Sequence, residues 1–160
     1  MRKGIFSRKD RLLKERRHDV YQSPGKWPEP TLCPECGAVF TGGRWTWQDS
    51  PEQANKALCP ACRRINDRYP AGYVELKGSF LRDHRDEITN LIRNVENTEK
   101  AERPLERIMA MKRRGNTTLV TTTGVHIARR IGESLSRSYK GDLSIRYADG
   151  DRIVRVYWRR

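Results

Sequence analysis

Two cysteine pairs with the same C-P-x-C motif constrain the fold of this chain more than any other feature. Cys33 and Cys36 form the first pair and Cys59 and Cys62 form the second, with residues 37–58 between them. Two residues between thiolates let one tight turn aim both sulfurs at a single ion, and the proline inside each pair stiffens that turn. Two such turns facing each other supply a tetrahedral set of four sulfurs. The spacing therefore predicts one structural zinc ion held by all four cysteines.

Two other uses of paired cysteines compete with zinc. Iron accepts the same four thiolates, as in rubredoxin-like sites, so the sequence leaves the identity of the metal open. A dithiol redox pair needs a thioredoxin-like β-α-β context, and the residues around these pairs do not show one. Four protein ligands leave no coordination position for water or a substrate. The predicted site is therefore structural rather than catalytic.

The charge balance indicates the class of partner. The 160 residues include 33 Lys and Arg against 20 Asp and Glu, a formal net charge of +13. A charge of this sign and size attracts polyanions, of which nucleic acid is the commonest. No apolar run approaches the ~18 residues of a membrane span, and the N-terminus lacks the apolar region of a signal peptide. We therefore expect a cytoplasmic protein without membrane contact, where disulfides are rare, and the lack of long heptads favours a monomer.

Composition divides the chain into three parts: a flexible basic arm over residues 1–30, a zinc ribbon over 31–69 without a helical period, and an α+β domain over 70–160. In the last part the pattern predicts strand, helix, helix, strand, helix, strand, strand. The second of these helices is predicted over residues 103–115, where Pro104 suits a first turn and Gly115 a stop. The fold class is α+β: a small treble-cysteine-turn zinc ribbon followed by an α/β sandwich, ferredoxin-like, with a mainly antiparallel sheet and helices on one face.

Alternation along the predicted strands separates a core face from an outward face. In the last strand Val154, Val156 and Trp158 point one way, and arginine and tyrosine point the other. In the strand before it Leu143, Ile145 and Tyr147 are predicted to face the core. Arginine interleaved with tyrosine suits a surface that contacts phosphates and stacks bases. The predicted RNA-binding residues are Tyr73, Lys77, Arg146, Arg155, Tyr157 and Arg159 on this sheet, with Arg44 in the zinc ribbon.

The residues between the cysteine pairs indicate which side chains form the core of the predicted ribbon. Gly42 and Gly43 permit a tight hairpin turn, and Trp45 and Trp47 follow as strand residues. One tryptophan is expected to pack as the core of the ribbon, and the outward one is available to an RNA base.

Catalytic signatures are weak in this sequence. His84 and His126 each begin a predicted helix, where histidine is most often a polar surface residue. Thr123 and Gly124 precede the helix that contains His126, and Thr123 is expected to act as its N-cap. No Walker-type or G-x-G-x-x-G motif accompanies them. We therefore predict that the protein is not an enzyme.

Three segments together resemble the N-terminal part of the Nmd-three family of large-ribosomal-subunit adaptors. These are the second cysteine pair followed by "RYPAGYVELKGSF", the later "NTTLVTTTGVHIARRIGESL", and the final "DRIVRVYWRR". In that family C-P-x-C zinc pairs precede a similar strand. The resemblance covers residues 31–160 and implies a short, stand-alone, bacterial-type relative that binds ribosomal RNA or a ribosomal subunit.

These observations predict a non-enzymatic zinc-ribbon protein that binds ribosomal RNA or the ribosome, in subunit assembly or in dormancy. Two alternatives remain open at this point. The chain is also compatible with a DNA-binding transcriptional regulator whose ribbon or basic helix enters a groove, and with a basic protein–protein adaptor.

Overall fold

A computed structural model describes residues 27–150 and 152–160, so the arm predicted over residues 1–30 lies outside the described residues as far as residue 26. The described residues form two sheets and four helices. The elements in chain order are β1 (Thr31–Leu32), β2 (Val39–Thr41), β3 (Arg44–Thr46), β4 (Asn55–Lys56), α1 (Pro60–Asp67), β5 (Gly72–Lys77), α2 (Ser79–Asp83), α3 (Arg85–Glu102), β6 (Ile108–Arg114), β7 (Thr117–Thr122), α4 (Val125–Tyr139), β8 (Asp142–Ala148) and β9 (Ile153–Arg159).

The first sheet contains four very short strands in the order β3-β2-β1-β4. Gly42 and Gly43 connect β2 to β3 with φ of 61° and 80°, a left-handed conformation that glycine adopts without steric cost. Both backbone N–H groups donate to the carboxylate of Glu29, at 3.3 and 2.8 Å. The Trp27 ring meets the Trp45 ring edge-on, with centroids 5.6 Å apart. Residues 27–30 therefore pack with this sheet, although the sequence assigned them to the arm.

Helix α1 was not predicted, because residues 31–69 lack a helical period. Local chemistry explains the helix instead: Cys59 is its N-cap, and the Cys59 sulfur accepts a hydrogen bond from the backbone N–H of Cys62. Pro60 occupies the first turn, where its missing N–H costs nothing. Arg68, with φ of 53°, ends the helix. An eight-residue helix is too short to show a clear periodic pattern.

The second sheet contains five strands in the order β6-β7-β5-β9-β8. Strand β7 pairs antiparallel with both β5 and β6, so β5, the helices after it and β6 form a split β-α-β unit. Strand β9 pairs parallel with β5 and antiparallel with β8. The α+β class and the mainly antiparallel sheet are confirmed, and the fifth strand and the parallel central pair depart from a four-stranded ferredoxin-like order.

The helix predicted over residues 103–115 is wrong, because this segment carries strand β6. The error has a specific cause. Ile108 and Met111 are three residues apart, a helical spacing, and both pack against the core. A β-bulge between Ile108 and Ala110 shifts the register, so that Met111 lies opposite the buried Val120. The bulge thus places two apolar residues on one face of a strand at a separation that is typical of a helix.

Helices α2, α3 and α4 cover one face of the five-stranded sheet, and the core lies between them. The inward positions predicted for β5 and β9 are confirmed: Val74, Leu76 and Trp158 are almost fully buried. Tyr147 is wrong as a core residue, because it is 42% exposed near the hairpin end of β8. In the described part of the chain, no helix has the length and apolar character needed to cross a membrane.

Candidate metal centre and open sheet face

The four cysteines come together although residues 37–58 separate the two pairs. One ligand atom from each lies within 4.8 Å of every other, and the sulfurs of Cys36 and Cys59 are 3.8 Å apart. A regular tetrahedron with Zn–S bonds of about 2.3 Å has edges of about 3.8 Å, so the donor set fits one tetrahedral metal ion. Cys33 and Cys36 lie in the turn between β1 and β2, whereas Cys59 and Cys62 lie at the start of α1. A turn, a hairpin and a helix thus position the site.

Backbone N–H groups point at the sulfurs, as the turn geometry predicts. The N–H of Ala38 donates to the Cys36 sulfur at 3.5 Å, and the N–H of Cys62 donates to the Cys59 sulfur at 3.3 Å. The first turn is closed by a hydrogen bond from the N–H of Gly37 to the carbonyl of Cys33 at 2.9 Å. Gly37, with φ of 81°, supplies the left-handed residue that this turn needs.

The protein alone does not favour thiolate at every ligand. Burial raises the pKa of Cys59 and raises that of Cys62 to about 11, against the hydrogen bond and positive charge that Arg107 offers. Burial also acts on Cys33, but backbone N–H groups, including those of Cys36 and Glu35, outweigh it and lower the pKa of Cys33 to about 7. Metal binding therefore has to displace protons from at least two buried thiols.

Arg107 is the most important residue that the sequence did not single out. Its guanidinium donates hydrogen bonds to three sulfurs: Cys62 at 3.3 Å, and Cys36 and Cys59 at 3.2 Å each. The residue is only 7% exposed. Burial alone would lower the pKa of Arg107, but the hydrogen bond to Cys62 and the negative charge of the sulfurs raise it. Nothing in the sequence distinguishes this arginine from its many basic neighbours.

Arg107 has two roles. It would offset the negative charge of four thiolates with a bound divalent ion, and it links the cysteines of the small sheet to the segment before β6. Four thiolates and a divalent ion carry a net charge of −2, and one buried guanidinium reduces this to −1. The Arg107 side chain also donates to the carbonyl of Pro104 at 2.7 Å, and its backbone N–H donates to the Thr123 hydroxyl at 2.9 Å. The Trp47 indole N–H makes a second link, to the carbonyl of Lys100 at 2.7 Å. The metal centre is therefore tied to the segment between α3 and β6.

The two tryptophans divide as the sequence suggested. Trp45 is 8% exposed and packs with Phe40 and Trp27 beside the cysteines, so it is the core of the small sheet. Trp47 is 38% exposed. Because its N–H bonds to helix α3, Trp47 is a contact between the small sheet and the helices that cover the larger one.

The helix-free face of the five-stranded sheet brings six of the seven predicted RNA-binding residues together. Cross-strand register places Tyr73 beside Arg155 and Arg155 beside Arg146. The next row along the strands contains Glu75, Tyr157 and Ser144, and the last row contains Lys77, Arg159 and Asp142. Arg44 does not join them, because it lies on edge strand β3 of the other sheet.

Details of this open face were not all predicted. The guanidinium of Arg155 lies over the Tyr73 ring, 4.5 Å from its centroid. Glu75 pairs with Lys77 at 3.2 Å, so the face is not purely cationic. Lys112 and Arg114 extend the face on β6, because Lys112 is opposite Leu119 and Arg114 opposite Thr117. In a strand, Lys112 and Arg114 would share one face and Arg113 would lie on the other. This pattern was visible in the sequence, but it was missed because the segment was interpreted as a helix.

The N-terminus of α4 carries a cluster of ionic contacts instead of the predicted threonine cap. The Thr123 hydroxyl donates to the carbonyl of Leu105 at 2.6 Å, and the carboxylate of Glu106 accepts the N–H of Ile127 at 3.1 Å. A Cβ at Gly124 would lie 2.0 Å from that carboxylate, so a larger residue there would have to displace the Glu106 side chain. His126 pairs with the buried Glu99 at 2.9 Å. These residues join α3, α4 and the segment before β6, which is a structural role.

Comparisons with protein-family models, with curated proteins and with solved structures found no match, so no family is assigned to this chain. The resemblance to the Nmd-three family stays a prediction.

Proposed function

We propose that this chain is a non-enzymatic, zinc-stabilised RNA-binding protein, with ribosomal RNA or another structured RNA as its ligand. The observation that carries the proposal is the open face of the five-stranded sheet. Arg155, Tyr157 and Arg159 follow one another along β9 on this face, and Tyr73 on the neighbouring strand β5 stacks with Arg155. Aromatic rings that can stack bases, with guanidinium groups that can reach phosphates, are what single-stranded RNA recognition uses.

Zinc is proposed as the metal because of the donor set and its surroundings. Four thiolates at tetrahedral spacing satisfy zinc without geometric strain, and zinc brings no redox chemistry to a site with no open position. Iron is the competing ion, and elemental analysis of protein purified from cells grown without added metal separates the two. About one zinc per chain is expected, and iron at that stoichiometry would overturn this part of the proposal.

We further propose that the five-stranded sheet is a ferredoxin-like unit extended by one strand. The split β-α-β unit of β5, β6 and β7 supports this interpretation, with β9 inserted between β5 and the edge strand β8. RNA-recognition domains use the helix-free face of such sheets, and this fits the face proposed for RNA.

The test is a pair of charge-matched triple variants. One reverses Arg146, Arg155 and Arg159 on the open face to glutamate, and the control reverses Arg93, Arg129 and Arg137, all exposed, on the helices. Affinity for a fluorescent ribosomal RNA fragment is measured by anisotropy at several salt concentrations, with duplex DNA of equal length as competitor.

The two variants are expected to differ although their net charges are identical. Losing three phosphate contacts should reduce the slope of log affinity against log salt by about 2–3, whereas the control should keep the wild-type slope. Equal losses in both variants would indicate unspecific charge attraction, and binding unchanged in the first variant would exclude this face. Preference for the duplex DNA would favour the DNA-binding alternative.

A further inference from the structure

A groove lies where the end of α1 meets the open face of the five-stranded sheet. Its volume is about 570 Å³, within the range of about 300–1,000 Å³ that small-molecule sites occupy. Its lining includes four apolar or aromatic side chains: Tyr73 and Leu119 from the open face, Met109 from β6 and Ile65 from α1. Ile65 is 37% exposed on α1. The groove is thus a partly apolar cleft built by both sheets' segments, next to the face proposed for RNA.

Positive charge surrounds this apolar cleft. Arg68 at the end of α1 and Lys112 and Arg114 on β6 all line it. In the part of the chain that the structure describes, no acidic side chain forms an ion pair with these three. Arg155 adds a fourth cation where it stacks on Tyr73. An apolar interior with a cationic rim complements a nucleotide, whose base is flat and weakly hydrated and whose phosphate is an anion.

The shape of the groove selects against a continuous duplex. A base inside a double helix is stacked on both faces and presents only its edges, so it cannot enter a cleft beside a helix. A base in a loop, a bulge or a single strand can leave its stack and insert.

We propose that this groove holds one unpaired nucleotide of a nucleic-acid strand, with the base against the apolar lining of Ile65, Met109 and Tyr73 and the flanking phosphates at Arg68, Lys112 and Arg114. The inference rests on the proposed RNA-binding function and specifies its ligand as unpaired rather than duplex nucleic acid. Because α1 forms one side of the groove, the bound metal is also needed to keep the site in shape.

A substitution that fills the groove without changing charge tests the inference. Ala110 lines the groove, opposite Thr121, and Ala110→Phe places a ring in the cleft. Ala101→Phe is the matched control, because Ala101 is exposed on helix α3, away from the groove and from the open face. Met109→Ala is a second variant that removes an apolar side without overfilling, in case the phenylalanine disturbs folding. Each variant is compared with wild type by thermal unfolding.

Binding is measured with a twelve-nucleotide oligouridylate, its DNA counterpart and a blunt twelve-pair RNA duplex. Wild type should bind both single strands more tightly than the duplex. Ala110→Phe should weaken single-strand binding at least about fivefold, as expected for one lost base-stacking contact, and Met109→Ala should weaken it less. Ala101→Phe should bind as wild type does.

The outcomes separate this inference from the function on which it rests. If neither the three nucleic acids nor the ribosomal RNA fragment binds, the proposed function is wrong. The groove proposal, which rests on that function, is then wrong as well. If the face-reversal variant loses RNA but Ala110→Phe and Met109→Ala bind single strands normally, RNA binding stands and the groove proposal is overturned. Equal affinity of the wild type for duplex and single strand would also overturn the groove proposal. A different ligand for the groove, such as a peptide, would then be favoured.

Discussion

The two sheets of this protein are held together by different forces. In the small sheet the buried cluster contains Phe40, Trp45, two alanines and three of the cysteines, with strands of only two or three residues. In the five-stranded sheet a larger buried cluster, including Leu76, Ile131 and Trp158, lies under three helices. A segment as small as the first sheet buries little apolar surface, so we expect a metal ion at the four clustered cysteines to supply the difference. The second sheet needs no such ion.

The difference between the two regions is most informative at their junction. Arg107 belongs to the segment that leads into β6, yet its guanidinium bonds to sulfurs of the small sheet. The region that folds by apolar burial therefore contributes a buried cation to the candidate metal centre. Without a metal this cation would lie beside Cys59 and Cys62, whose pKa values are raised by burial. We expect the junction, and with it the groove beside α1, to depend on metal occupancy.

The largest expected effect is the loss of the metal. Chelation, or Cys59→Ser, should unfold residues 27–69 and leave the five-stranded sheet folded, because structural zinc contributes on the order of 10 kcal/mol to small zinc modules. Near-ultraviolet circular dichroism should lose the signal of Trp45 while that of the buried Trp158 persists. Return of the signal on adding zinc is the control for chelation. A fully folded metal-free protein would contradict the division described above.

Truncation of a core side chain in the five-stranded sheet should destabilise that sheet and leave metal binding unchanged. Trp158 is 1% exposed, and its indole N–H donates to the carbonyl of Lys140 at 2.7 Å. Trp158→Ala should lower the free energy of unfolding by about 3–5 kcal/mol, from the cavity and the unpaired carbonyl, without changing the metal content per chain. Urea unfolding and elemental analysis measure the two quantities. Trp47→Ala, at a more exposed site, should cost clearly less, and a loss of metal in Trp158→Ala would show that the two regions fold as one unit.

Removal of the cation at the junction should have a smaller effect, on metal affinity. Arg107→Met keeps the length of the side chain but withdraws three hydrogen bonds and a positive charge from the sulfurs. Loss of such a partner around a metal centre typically reduces affinity about 10–100-fold. Competition with a chromophoric chelator measures this change. Arg63→Met is the control, because Arg63 adjoins Cys62 in sequence but is exposed. Equal metal affinities of Arg107→Met and Arg63→Met would show that Arg107 does not contribute to metal binding.

The smallest effect concerns pH and the start of α4. Burial raises the pKa of Glu106 above its ordinary value of 4.5, although the N–H of Ile127 and the charges of His126 and Arg103 oppose the shift. Between 4.5 and the raised value the folded state binds more protons than the unfolded state, so the free energy of unfolding falls as pH rises through that window. Glu106→Gln should flatten this fall, as urea titrations at several pH values would measure. A slope equal to that of wild type would show that Glu106 does not titrate there.

Predictions from the sequence succeeded where one local pattern decided the structure. Ile88 and Ile92 in α3, and Ile131 and Leu135 in α4, are each four residues apart, a helical spacing, and all four are buried in the helices predicted there. The alternation in β9 placed Trp158 inside and Arg155 outside correctly. Each of these patterns extends over several turns of a helix or a whole strand, so that many residues agree on one face.

Failures occurred where a neighbouring segment decided the outcome. Residues 103–115 looked helical until pairing with β7 and a bulge were known. Thr123 was expected to cap α4, but its hydroxyl bonds to Leu105 and Arg107, and Glu106 takes the N–H of Ile127. Tyr147 follows the alternation of β8 but lies near the hairpin end, where it is 42% exposed. Only at Thr123 do the deciding contacts come from residues distant in sequence; β6 pairs with the next strand of the chain, and Tyr147 is exposed by its place at the end of a hairpin.

The sequence by itself determined the pairing of the four cysteines that cluster, the α+β class and the two faces of the central strands, because short-range spacing and period are sufficient for these. Only the tertiary structure brought Arg107 to three of the sulfurs, joined Lys112 and Arg114 to the open face, and formed a groove between α1 and the sheet. The physical reason is that charge and shape complementarity act between segments that meet in space. No local pattern records which of many arginines will be buried beside a metal.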